Sequence, residues 1–168
     1  MLERLQNRSS TLPLGLLLAF LLLGSGAQGA DPAGQLLAAV GAGRVEAVRD
    51  LLASGAEPNA KTTAGRPALV VAAAAGNLRT ARALLLAGAD VNAVDAGGNS
   101  ALMVASAYGH SEVVALLLRA GADPNLKNSA GKSALARATL AGEAAIAEQL
   151  KAAGAVEESA EDKEEKKQ

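Results

Sequence analysis

Residues 88–120 read GADVNAVDAGGNSALMVASAYGHSEVVALLLRA. Moved forward by 33 positions, this stretch falls on GADPNLKNSAGKSALARATLAGEAAIAEQLKAA; moved back by 33, it falls on GAEPNAKTTAGRPALVVAAAAGNLRTARALLLA. A self-match at fixed period outranks any local reading of helix or strand, because it marks a stack of like units. Leu36, Leu69, Leu102 and Leu135 keep the period, as do Ala39, Ala72, Ala105 and Ala138, and Gly43, Gly76, Gly109 and Gly142. Leu51, Leu84, Leu117 and Leu150 follow, then Gly55, Gly88, Gly121 and Gly154. Asn59, Asn92 and Asn125 recur three times, and so do Gly65, Gly98 and Gly131.

The third unit shows how each is built. Ser100 precedes a first helix expected over Ala101–Tyr108, where its hydroxyl can accept a bond from an orphan N–H. Gly109 breaks that helix by supplying a residue with φ > 0 at a sharp corner. The second helix is expected over Ser111–Ala120, with Val114, Leu117 and Leu118 at the i, i+3, i+4 spacing of one buried stripe. Gly121 ends it, and GADPNLKNSAGK reads as an extended turn with Gly131 at its tip. A unit this small cannot bury its own apolar face. Neighbours supply the missing wall, so stability is a sum over units and their interfaces. The predicted fold is all-α: a solenoid of about four 33-residue helix-turn-helix repeats joined by hairpin-like turns, at about 31–64, 65–97, 98–130 and 131–156.

Composition excludes several classes. Half of the 168 residues are apolar, yet the chain has one Tyr and one Phe, so its core is small aliphatics suited to closely packed helices. A net charge of −1 gives no basic face for nucleic acid. Without Cys there is no disulfide framework, thiolate zinc site or lipid-modified Cys. His110 is the single His; at the start of the second helix it is read as a residue that fixes the turn, and it leaves little for metal ligation or a Ser/His/Asp set. The glycines recur at the repeat period and belong to repeat geometry, not to a phosphate loop. No catalytic residue, metal site or cofactor is expected.

The two ends differ from the middle. Arg4 and Arg8 precede TLPLGLLLAFLLLG, which holds eight Leu between Leu12 and Leu23, and GSGAQGA follows. That is the pattern of a cleavable signal peptide over 1–30, cut in the region Ala27–Ala30. Its apolar run of about 12 residues is shorter than the roughly 20 a spanning helix needs. An uncleaved anchor is the alternative, and only then would a membrane be a partner. Asp31 and Pro32 fit a helix start. In the last unit Gln149 and Lys151 replace apolar positions, as the polar outer face of a terminal unit requires. The tail 157–168, EESAEDKEEKKQ, holds six acids and three lysines and is expected to be a disordered, solubilising end.

These residues carry a family resemblance. The period, together with Gly109, His110, Glu112, Val113, Val114, Leu116, Leu117 and Leu118, then Gly121, Ala122, Asp123 and Asn125, resembles ankyrin repeats over about 31–156. The family's Thr-Pro-Leu-His is here Ser-Ala-Leu-Met at 100–103, Ser-Ala-Leu-Ala at 133–136 and Pro-Ala-Leu-Val at 67–70. Its Thr–His bond is therefore missing, and Pro67 cannot cap. Each lost cap or side-chain bond should cost about 1 kcal/mol.

The resemblance implies a non-enzymatic protein-binding scaffold, whose partners meet the turn tips and the exposed side of the first helices. The matching residues include Lys61, Arg66, Asn99, Tyr108, Lys127 and Lys132. Tyr108 is the one aromatic after residue 30, and Tyr is favoured at interface hot spots; packing on the Ala75 or Ala141 positions is its other reading. Lys61, Arg66, Lys127 and Lys132 flank it without an acid at matching positions, which would steer an acidic protein partner. The expectation is an exported monomer, periplasmic or secreted, that binds a protein as scaffold or regulator. A membrane-anchored scaffold and a secreted effector acting on another cell are the alternatives.

Overall fold

A computed structural model describes residues 31–157. The segment read as a signal and all but the first residue of the tail lie outside the described residues. Eight helices follow one another: α1 (Pro32–Gly41), α2 (Val45–Ala53), α3 (Ala68–Ala74), α4 (Leu78–Leu86), α5 (Ala101–Ala107), α6 (Ser111–Arg119), α7 (Ala134–Ala141) and α8 (Ala144–Ala152). They form four pairs, and the described residues hold no strand, only isolated bridges between Lys61 and Pro67 and between Val94 and Ser100. The all-α solenoid of helix pairs is what the period of the sequence demands.

Each pair is set by its caps and its corner. Asp31 caps α1 through Ala33 N–H with Pro32 at the first turn, Ser100 caps α5 through Met103 N–H, and Ser133 caps α7 through Ala136 N–H. Pro67 precedes α3 with no side-chain cap. Gly109 takes φ +75° at the corner after α5, and an added Cβ would stand 2.7 Å from the Glu143 carboxylate of the next unit. Conformation is what favours Gly at this corner, since the Glu143 carboxylate is the end of a flexible side chain and could move aside. The same position of each following unit covers the corner before it. Asn77 Nδ2 donates to Val40 O at 3.1 Å, and the His110 ring lies over Gly76 with Nε2 3.3 Å from Ala74 O. His110 therefore ties two units together, which adds to its expected role in fixing its own turn.

The core runs between two layers. First helices α1, α3, α5 and α7 stack on one another, and α2, α4, α6 and α8 stack behind them. Ala68, Ala72, Ala101, Ala105, Ala134 and Ala138 are all buried in the first layer. Their small size lets those backbones approach closely. The layer of first helices is the more closely packed of the two, and its exposed side is the face that the ankyrin resemblance expects to be concave. In α6 the buried stripe is Val113, Val114 and Leu117, whereas Leu118 is only half-buried. The expected stripe is therefore widened by Val113 on one side, with Leu118 at its half-buried edge against the core, because α6 meets α5 on one flank and both neighbouring second helices on the others.

The turns are built alike. Asn59 Oδ1 accepts from Asp90 N–H at 2.8 Å, Asn92 Oδ1 from Asp123 N–H at 2.9 Å, and Asn125 Oδ1 from Val156 N–H at 2.9 Å. The recurring Asn is the rung that holds each turn to the next.

Candidate partner-binding face

The candidate face is assembled from the turn tips and the ends of the first helices. Tips are closed by one side chain each. Thr62 Oγ1 accepts from Arg66 N–H, Asp95 Oδ1 accepts from Gly97 and Asn99 N–H at 2.9 Å, and Asn128 Oδ1 accepts from Ala130 and Lys132 N–H. These loops hold Lys61, Arg66 and Lys127 at the surface, exposed, and Lys132 half-buried.

Tyr108 follows α5 directly and is 64% exposed. Its ring is tilted against that of His110, with centroids 6.2 Å apart. It does not lie in the core. Leu140, one unit on and near the end of α7, is 75% exposed.

Asn99 sits differently from the other expected contacts. Its Nδ2 donates to the Asp95 carboxylate at 3.0 Å, and its Oδ1 accepts from Asn128 Nδ2 at 2.8 Å and from the Arg137 guanidinium. Both ends of its amide are spent inside the stack, joining the third tip to the fourth. Arg137 is a residue that sequence reasoning missed. It stands on α7 at the position held by Val71 and Val104 in the two units before, and that break in the period was its available signal. Lys132, Arg137 and Asn128 together with Ala107, Leu140 and Ala141 line a notch of about 400 Å³ between the last two first helices.

Electrostatics sharpen the picture. Among the described residues the ion pairs are Arg49–Glu46, Lys151–Glu148 and Lys151–Glu157, all on the second helices or the chain end. None involves Lys61, Arg66, Lys127, Lys132 or Arg137. Burial alone would raise the Asp95 pKa. Bonds from the Asn99 backbone and amide and from Gly97, with the charge of Arg66, outweigh burial and hold the carboxyl below its ordinary 3.8. Asp95 is thus an anion in the face, yet one consumed in closing its own tip.

Among the described residues no three His, Asp or Glu side chains gather as metal ligands. No helix among them is long and apolar enough to cross a membrane. A family model for ankyrin repeats (three copies) matches residues 36–128, more than half of the chain. No curated protein matches it.

Proposed function

The chain belongs to the ankyrin repeat family, and from that premise we propose that its concave face, centred on Tyr108, takes an acidic protein partner. Ankyrin repeats generally mediate protein–protein contact, and the family is typically non-enzymatic. One observation carries the choice of face: Tyr108 is 64% exposed between tips whose lysines and arginines have no salt-bridge partner among the described residues. A large exposed ring on a face whose lysines and arginines make no close ion pair is suited to an anchor that excludes water while charges steer approach. Tyr108→Ala should leave a urea melt within about 0.5 kcal/mol of the parent. The same variant should weaken capture of the partner by about 10-fold, worth roughly 1.4 kcal/mol. A variant that melts early would instead make Tyr108 a packing residue.

The protein is further proposed to act as a monomer after export. The support is the sequence of the first 30 residues, a short basic head, an apolar run and a small-residue exit. N-terminal sequencing of the native protein, fraction by fraction, tests this. A new terminus between Gln28 and Asp31 in a soluble envelope or medium fraction is the expected result. An intact Met1 in the membrane fraction would make it an anchored scaffold, and an intact Met1 in the cytosol would overturn export.

A further inference from the structure

The chain leaves the stack on a definite track. Val156 N–H donates to Asn125 Oδ1 at 2.9 Å, the same rung that Asp90 and Asp123 make with the Asn of the turn before. Residue 156 therefore occupies the place where a further turn begins, and the Glu157 carboxylate beside it is held by Lys151 of α8 at 2.7 Å. Val156 and Glu157 share the wall of one depression with Lys132 and Leu140. Lys132 and Leu140 also line the notch with Arg137 and Asn128. The exit and the notch are next to each other.

Charge and length fit. Residues 158–168 hold the acids Glu158, Glu161, Asp162, Glu164 and Glu165 against the lysines Lys163, Lys166 and Lys167, so their side chains are acidic on balance, with the acids leading. At about 3.3–3.6 Å per extended residue they reach up to roughly 36–40 Å. Adjacent helices stand about 8–10 Å apart, so Tyr108 lies only about one such step beyond α7. Lys132 lines both depressions and, like the exposed Lys127 five residues before it, has no salt-bridge partner among the described residues, and one guanidinium nitrogen of Arg137 is fixed by Asn99, which orients the rest of the group. A tether this short keeps the acids at a high effective concentration over those cations.

We propose that the notch of Lys132, Arg137, Asn128 and Leu140 is a carboxylate-binding site, and that the chain's own acidic tail, residues 158–168, is its resident occupant. An acidic partner must then displace the tail to reach Tyr108. The consequence rests on the concave face being the binding face; the docking itself does not.

The absence of Cys makes a clean test, because Gln168→Cys, at the far end of the tail, carries a single nitroxide label in the full chain. Amide signals of Lys132, Leu140, Ala141 and Tyr108 should lose more than half their intensity, while those of α4 keep theirs. The loss should vanish in about 0.5 M salt, where the Debye length is only a few ångströms. It should also vanish in Lys132→Gln/Arg137→Gln. Lys127→Gln/Lys132→Gln, which leaves the Asn99 bonds untouched, guards against a folding defect and should lose at least half of the effect. Even broadening over all faces would overturn the proposal. So would broadening centred on the other basic groove, where Arg49, Arg79 and Arg82 surround Leu86 between α2 and α4. No partner is present in this measurement. A partner that binds a chain whose tail does not dock leaves the functional reading standing and sinks only the inference.

Discussion

Asp95 and Asn128 hold the same place in successive tips and perform the same closure, one with a charge and one without. Asp95 also accepts from the Asn99 amide, and that extra bond makes its ionisation matter to the fold. Its carboxyl titrates below the ordinary 3.8 in the folded chain. The stability it contributes is therefore complete above the unfolded value and is lost as pH falls through the folded one. Asn can close the tip, as Asn128 shows, so Asp95→Asn should fold. Its loss of stability below about pH 4 should be shallower than the parent's, by the linkage between bound protons and unfolding. Urea melts on both sides of that pH measure this, and an acid limb of unchanged slope would mean that Asp95 is not a linked group.

At the scale of one helix, α5 is the most enclosed element: every residue from Ala101 to Ser106 is buried, with Leu102 at 1% exposure. Leu102→Ala opens a cavity between two neighbouring first helices and should cost about 2–5 kcal/mol. Ser100→Ala removes the bond to Met103 N–H and should cost about 1 kcal/mol. A Leu102→Ala loss under about 1 kcal/mol in urea melts would be too small for a buried leucine and would contradict this packing. Helices, caps and corners were legible in the sequence because each depends on residues close in the chain. Leu102, Ser100 and Gly109 announce themselves by type and by period. The full burial of Val113 beside the expected stripe of α6 was not legible, since how wide a face is buried depends on where the neighbours stand. Nor was the use of Asn99. Its tip position marked it as a contact, but its amide is consumed by Asp95, Asn128 and Arg137, a set that only the stacked turns bring together. His110 was read as a local residue for a like reason: its partner, Ala74 O, lies in the unit before.

Across the whole molecule, each unit touches only its neighbours, so the place of a bond along the stack should set its worth. The Asn rungs allow this to be tested with one side chain at two places. Asn92 joins the third turn to the fourth, inside the array, through Asp123 N–H. Asn125 joins the fourth turn to the chain end through Val156 N–H and donates its own Nδ2 to Gly154 O at 3.1 Å. By count of bonds Asn125 makes the larger contribution, two cross-turn bonds against one. By position it should matter less, because the end can fray without opening the units before it. Asn92→Ala should therefore lower global stability by about 1 kcal/mol, the net worth of one such bond. Asn125→Ala should leave the global melt within about 0.5 kcal/mol and speed amide exchange at Val156 and the end of α8. If Asn125→Ala lowered the melt as much as Asn92→Ala, the array would unfold as one unit with its last rung integral to it, and nearest-neighbour additivity would fail. The tail proposed to lie over the fourth turn would then be anchored to an end as firm as the middle.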